Sequence, residues 1–337
     1  MMKTASKKTS VIIPAYNAER TIAACLEGVR ASDHKDYRLI VVDDVSSDGT
    51  AEIARRYTDK VVILPKHSGR VEARKTGWAH AEGDIVVNID SDVVIKPDTL
   101  SIIADHFQQH PDADAITGIL SKECPHNNFS SQYKNLYMHY IFSKLPEGVS
   151  FLYGSIFALR KNMLGDFESA VGIADDTALG QHLARAGKKI SFLRNCEVAH
   201  LKAFTLGSLI KNDYRIPFDW AILFMTNRGW KQLFRHKTGF AHSAKGQLIS
   251  VILAPAILLL SLVSALVNGS FSFLVFSLFA LWFLLNLHFL LFLTKERGLF
   301  FGVKSFLFTF IDHLVMASGI ICGFISSLRR TFWNRSL

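Results

Sequence analysis

Asp90-Ser91-Asp92 closes the apolar run Ile85-Val86-Val87-Asn88-Ile89. Side chains alternate along a strand, so a turn at its C-terminal edge can aim both carboxylates into one crevice, where a hard divalent cation and a diphosphate would fit. Taken alone, such a triplet is as readily a solvated turn. Other chemistry-bearing residues stand at comparable places. Asp43 and Asp44 end the run Leu39-Ile40-Val41-Val42, Asp175 and Asp176 open a helical stretch from Thr177 to Ala186, and His200 follows Val198-Ala199. A carboxylate offers several acceptor sites and no competing donor, which suits it to a cation or to donor groups of a nucleoside. Helix capping is the plainer role for Asp175 and a structural role the plainer one for His200.

The elements that must position these groups follow from periodicity. Short buried-strand patterns are expected from Ser10, over Leu39 to Val42, over Lys60 to Leu64 and over Ile85 to Ile89. Helices are expected from Ala18 to about Ala31, Ala51 to Tyr57 and Val71 to Ala81. That β-α-β-α-β-α-β order builds an α/β domain with a Rossmann-like, mostly parallel sheet, whose ligands gather at the carboxyl ends of the strands. Asp43, Asp44, Asp90 and Asp92 all fall at such ends.

Five motifs in order, SVIIPAYN (10–17), VVDDVSSDGT (41–50), GRVEARKTG (69–77), GDIVVNIDSD (83–92) and ADDTALGQHLARAGKKI (174–190), make the chain resemble the family 2 glycosyltransferases. These are inverting enzymes with a GT-A nucleotide-sugar-binding fold. The resemblance covers roughly residues 8 to 205. It implies a nucleotide-diphosphate sugar donor held by Pro14 and Tyr16 of the first motif, Asp43, Asp44, Gly69, Arg74, Asp90 and Ser91. It also implies Mg²⁺ or Mn²⁺, bound chiefly by Asp92 with Asp90 nearer the ribose or a metal-bound water, and His200 as a third ligand or phosphate contact. Asp176 takes the place of the general base, with Asp175, Gly154 and Ser155 on the acceptor side. Gly77 completes the glycine and arginine pattern of the third motif, where a small residue lets backbone come close. Where the family commonly has asparagine before Gly69, this chain has His67 and Ser68, which leaves base specificity open. The Gln-x-x-Arg-Trp motif of processive synthases does not occur, and Arg215 is the nearest basic candidate for the diphosphate, against plain membrane-surface charge.

A chain of 337 residues holds such a domain and an appendage, and composition shifts at the join. No Asp, Glu, Lys or Arg occurs from Gly246 to Thr294. Within that stretch 248–267 and 271–293 are each long enough to cross about 30 Å of hydrocarbon. A third segment, about 300–326, carries Lys304, Asp312 and His313, which are costly inside a span unless they face protein or water and are expected in a shallow part or at a helix interface. From Leu201 to Lys245 there are eight Lys or Arg against two Asp, interleaved with Trp220, Ile222, Leu223, Trp230, Leu233 and Phe234, as in segments that lie in a headgroup layer. The expected division is a transferase domain over 1–204, a basic interfacial segment over 205–245, a membrane region over 246–328 and a basic tail over 329–337. The net charge of +9 is concentrated beside the first span and pairs with anionic lipid; a nucleic-acid partner is excluded, because no recognisable binding module accompanies the charge. Cys25, Cys124, Cys196 and Cys322 lack Cys-x-x-Cys spacing and read as free thiols of a reducing compartment.

Together these features imply an integral protein of a bacterial or archaeal cytoplasmic membrane, its catalytic domain inside, moving one sugar to a lipid-linked or membrane-proximal acceptor. Two alternatives stay open. One is a soluble or growing glycan as acceptor. The other is a non-catalytic membrane subunit with a nucleotide-binding fold, for which neither acidic cluster would be needed.

Overall fold

The computed structural model describes residues 8–167, 175–226 and 245–333. Trp230, Leu233 and Phe234 of the basic segment, the loop before Asp175 and the end of the basic tail lie outside the described residues. The chain forms two compact units, one of residues 1–126 and 146–202, the other of 127–145 and 203–337.

The first unit is a nine-stranded sheet with flanking helices. Its strands are β1 (Thr9–Ala15), β2 (Tyr37–Asp43), β3 (Val61–Ile63), β4 (Ile85–Ile89), β5 (Val93–Ile95), β6 (Ala115–Leu120), β7 (Gly148–Val149), β8 (Ile156–Arg160) and β9 (Ile190–His200). Their order is β3-β2-β1-β4-β8-β6-β9-β5, with β7 also on β9. The first four in space run parallel, as does β6 with β9, while β8, β5 and β7 run the other way. The sheet is therefore mixed and mostly parallel.

Its helices are α1 (Ile22–Arg30), α2 (Thr50–Ala54), α3 (Arg70–Ala79), α4 (Thr99–Gln109) and α6 (Asp175–Arg185). Every residue of β1 is buried, as an interior strand covered on both faces requires. Val11 and Ile13 share one core with Ile22, Cys25, Leu26 and Val29 of α1 and with Leu100, Ile103 and Phe107 of α4. Ile12 faces α3. A Cβ on Gly77 would stand 2.2 Å from Ile12 Cγ2, so this glycine brings helix and sheet together rather than backbone and ligand. Helix α1 starts later than the expected Ala18, because the Ala18 amide donates to Thr50 Oγ1 (2.8 Å), tying the first loop to the second.

The second unit departs from a boundary drawn once along the chain. Helix α5 (Phe129–Ser143), inserted between β6 and β7, belongs to it, with α7 (Leu206–Thr226), α8 (Lys245–Leu266), α9 (Ser272–Arg297) and α10 (Leu299–Trp333). The physical reason is burial: Tyr133 and Tyr137 of α5 pack edge-on to Phe289 of α9, and Tyr133 Oη lies 3.0 Å from Thr309 Oγ1 of α10. Among the described residues, three helical stretches are long and apolar enough to cross a membrane, Gly246–Leu266, Ser272–Arg297 and Leu299–Arg329. The third is one uninterrupted helix. Asp312 and His313 are buried, and Trp282 Nε1 donates to His313 Nδ1 at 2.9 Å, so of the two expected settings His313 takes the helix interface. Helix α7 is no mere surface segment either. Its buried face carries Leu209, Asp213, Pro217 and Ala221, and Asp213 forms an ion pair with Lys134 of α5.

Candidate active site

Strand direction gathers the candidate residues of the first unit at one edge. Strands β1, β2 and β4 end there, and antiparallel β8 begins there, with Ile89 in register with Ile156. The Asp90 amide then donates to Ser155 O at 3.3 Å, setting Gly154-Ser155 beside the Asp-Ser-Asp turn. At the far side β5 pairs with β9, Val93 opposite His200. This brings His200 Nε2 to 3.7 Å from Asp92 Oδ1 and lets the Leu201 amide donate to Asp92 O at 2.7 Å.

A short relay crosses the crevice. Arg74 Nη2 donates to Asp90 Oδ1 (2.8 Å) and to Gly154 O (3.2 Å), while the amide of the same glycine donates to Asp176 Oδ2 (2.7 Å). Asp176 Oδ1 accepts from the Thr177 amide at 2.9 Å, at the start of α6. A Cβ on Gly154 would come to 2.6 Å from Asp176 Oδ2. Burial pushes the Tyr153 phenol well above its usual range against a bond from Ser155, and the charges of Asp90, Asp92 and Asp176 add to the rise. One neutral hydroxyl thus feels all three carboxylates. Burial likewise raises the Cys25 thiol, which donates to Asp90 O at 3.6 Å; all four cysteines are free.

Several expected ligand contacts are instead internal. Asp43 and Asp44 are each 2% exposed. Asp43 accepts from the Ser46 amide (3.2 Å) and hydroxyl, and Asp44 from the amides of Ser68 (2.7 Å) and Gly69 (2.8 Å). Val45, between the two acids and Ser46, takes φ 61°, a costly conformation for a β-branched residue that the flanking bonds hold in place. Arg74 is buried and bonds Asp90 and Gly154. Pro14 is buried in β1, whereas Tyr16, just beyond, is 49% exposed. Gly69 has φ 86° at the start of α3, a conformation that favours glycine. Ser91 is half-buried in the turn. Arg215 lies on α7 of the second unit, with Nε 3.7 Å from Asp219 Oδ2. Asp175 opens α6, and its side chain is outside the described positions.

Two features escape a reading of the chain by motif. The backbone of Gly154 as the link from Arg74 to Asp176 needs three segments that only the fold brings together. The other is His67, whose Nδ1 stands 2.9 Å from Asp44 Oδ2 and whose ring stacks on Tyr16 with centroids 4.2 Å apart. Its signal was the asparagine it replaces.

No group of three or more Asp, Glu, His or Cys side chains is placed to hold a metal ion among the described residues. Asp92 and His200, 33% and 19% exposed in their side chains, form a two-donor set. Such a set fits Mg²⁺ or Mn²⁺, since Mg²⁺ is usually held by one or two carboxylates together with substrate phosphates rather than by an all-protein cage.

A mixed, mostly parallel sheet with helices on its faces and carboxylates collected at the strand ends defines the GT-A class of nucleotide-sugar-binding domain. The family model for glycosyl transferase family 2 matches residues 10–167, and this part of the chain is similar to that family. The putative glycosyltransferase EpsE of Bacillus subtilis (strain 168) is 31% identical over 120 residues, 34% of this chain and 43% of that protein. The undecaprenyl-phosphate 4-deoxy-4-formamido-L-arabinose transferase of Edwardsiella ictaluri is 33% identical over 114 residues, 30% of this chain and 34% of that protein. The chain thus spans less than half the length of these relatives. The mannosyltransferase PcManGT from Pyrobaculum calidifontis, solved with GDP-Man and Mn²⁺, has a similar fold, with TM-score 0.57 at 16% identity over 96% of this chain and 88% of that one.

Proposed function

We propose that this protein is a membrane-anchored, metal-dependent, inverting glycosyltransferase of cell-envelope glycan or glycolipid synthesis. It moves one sugar from a nucleotide-diphosphate donor to a lipid-linked or membrane-proximal acceptor. The observation that carries this reading is the relay in which one guanidinium nitrogen and the backbone of one glycine connect Asp90 of the acidic turn to Asp176. Inversion needs a nucleophile on the face opposite the leaving group, and therefore a base separated from the diphosphate side yet fixed relative to it. Asp176 takes the proton of an acceptor hydroxyl. Backbone hydrogen bonds from the Gly154 and Thr177 amides orient the carboxylate.

Asp92 and His200 would hold the cation. When bound, Mg²⁺ or Mn²⁺ supplies Lewis-acid neutralisation of the departing diphosphate, on the order of several kcal/mol. Arg74 fixes Asp90, and the buried Asp43 and Asp44 fix the loops that border the donor. The three apolar helices support an acceptor carried by the membrane, and the basic residues before them support a cytoplasmic catalytic domain.

The test is transfer by the purified full chain in lipid, from a panel of nucleotide sugars to a lipid extract or to soluble sugars. Wild type should transfer to the lipid extract, lose turnover on chelation and recover it with Mn²⁺ or Mg²⁺, and Asp92→Ala should abolish transfer in a protein that still folds and inserts. Full turnover in excess chelator removes the metal. Transfer to soluble sugars alone removes the lipid acceptor, and no turnover of any donor removes the enzyme.

A further inference from the structure

Three helices of the second unit bring a buried charge cluster together. Lys134 of α5 forms an ion pair with Asp213 of α7, and Asp312 of α10 lies within the field of both. Lys134 is 8% exposed, and Asp213 and Asp312 are 1% exposed each. Asp213 Oδ1 takes the bonds from Lys134 Nζ and from Asn212 Nδ2 (2.9 Å). Asp213 Oδ2 and both carboxylate oxygens of Asp312 are buried without a hydrogen-bond partner. With both acids ionised, one ammonium and two carboxylates leave the cluster one positive charge short.

No neighbouring side chain supplies that charge. His313 accepts from Trp282 Nε1 at its own Nδ1 (2.9 Å) and so adds none. Lys211 and Arg215 of α7 and Lys304 of α10 are exposed, and α8 and α9 carry no Asp, Glu, Lys or Arg from Gly246 to Thr294. Tyr133 and Tyr137 of α5 stay neutral, because burial pushes both phenols well above their usual range and the Asp312 charge adds to the rise. A carboxylate buried with neither a counter-charge nor a hydrogen bond is costly, and an ionisable group among apolar helices is retained where it has a partner.

We propose that Asp213 and Asp312 form a site for one monovalent cation, Na⁺ or H⁺. The charge sum sets the valence, since a divalent ion would leave the cluster positive. Three orphaned carboxylate oxygens set the class, a hard ion that seeks oxygen. Tyr133, which also borders Asp312, brings a neutral hydroxyl. The bound ion joins α10 to α7, as Lys134 joins α5 to α7.

The experiment is thermal unfolding of the purified full chain in detergent, with NaCl exchanged for choline chloride at constant ionic strength. If Na⁺ is the occupant, the wild-type midpoint should rise by about 5 °C between about 1 and about 100 mM Na⁺. If H⁺ is, the midpoint should ignore Na⁺, and wild type should lose about 5 °C relative to the Asn variants between about pH 6 and about pH 9. Asp312→Asn and Asp213→Asn each bring the cluster to zero charge by a different route, so either one that folds should lose the wild-type response. A wild-type midpoint that follows neither ion overturns the site, whatever the variants do. A full response that persists in either variant overturns it as well.

Discussion

At Asp176 each carboxylate oxygen accepts one backbone amide, Oδ2 from Gly154 and Oδ1 from Thr177, so the group is held from two elements. Replacement by Asn keeps the size but removes the proton acceptor. Asp176→Asn should lower kcat by roughly 10²- to 10⁴-fold, the range typical of lost proton transfer, with donor affinity nearly unchanged. Donor titration beside single-turnover transfer checks it, and wild-type rates would point instead to an acceptor that is already anionic. Gly154 is constrained by the same atom. Because a Cβ there would sit 2.6 Å from Asp176 Oδ2, Gly154→Ala should displace the carboxylate and reproduce much of that kcat loss. The resemblance implies an acceptor-side place for Gly154, and in the structure its missing side chain leaves room for the Asp176 carboxylate.

Close approach also governs the helices of the second unit. A Cβ on Gly319 would lie 2.3 Å from Tyr214 O, and one on Gly323 would lie 2.5 Å from Phe218 O, so two glycines four apart bring α10 against the backbone of α7. Small residues at this spacing are a recurrent way for helices to pack in lipid. Gly323→Val should lower the melting temperature in detergent, by an overpacking cost of about 1–3 kcal/mol. Gly246→Ala is the control, since nothing lies within 4 Å of the place its Cβ would fill, and equal melting temperatures for the two would refute this account. Element types were legible in the chain because the buried strands are continuous apolar runs and the long helices are apolar throughout. Membership of α5 in the second unit was not. Its partners Phe289 and Thr309 lie more than a hundred residues away, and no periodicity announces them.

For the whole molecule, the open question is how often the chain crosses the membrane. The uninterrupted α10 carries 31 residues long and apolar enough to cross, and buries Asp312 and His313 within its own unit. If the basic cluster before α8 holds the catalytic domain inside, as proposed above, three crossings put the residues after α10 outside. Asn334→Cys, in a chain with Cys124 and Cys322 replaced by Ser, should therefore react with an impermeant maleimide in sealed cells. Protection would mean two crossings and a last segment that turns back or lies in the interface.

The sequence by itself determined the α/β class, the strand ends that carry acids and the three apolar helices, because each depends on composition and spacing within one segment. Only the tertiary structure decided which acids stay open. Asp43 and Asp44 lie on the same kind of strand end as Asp90, yet loops between β2 and α3 close over them, while antiparallel β9 brings His200 to Asp92 from 108 positions downstream. Burial and hydrogen-bond satisfaction are properties of what surrounds a side chain. A motif records the residue types, and the packing of distant segments settles which atoms remain available for chemistry.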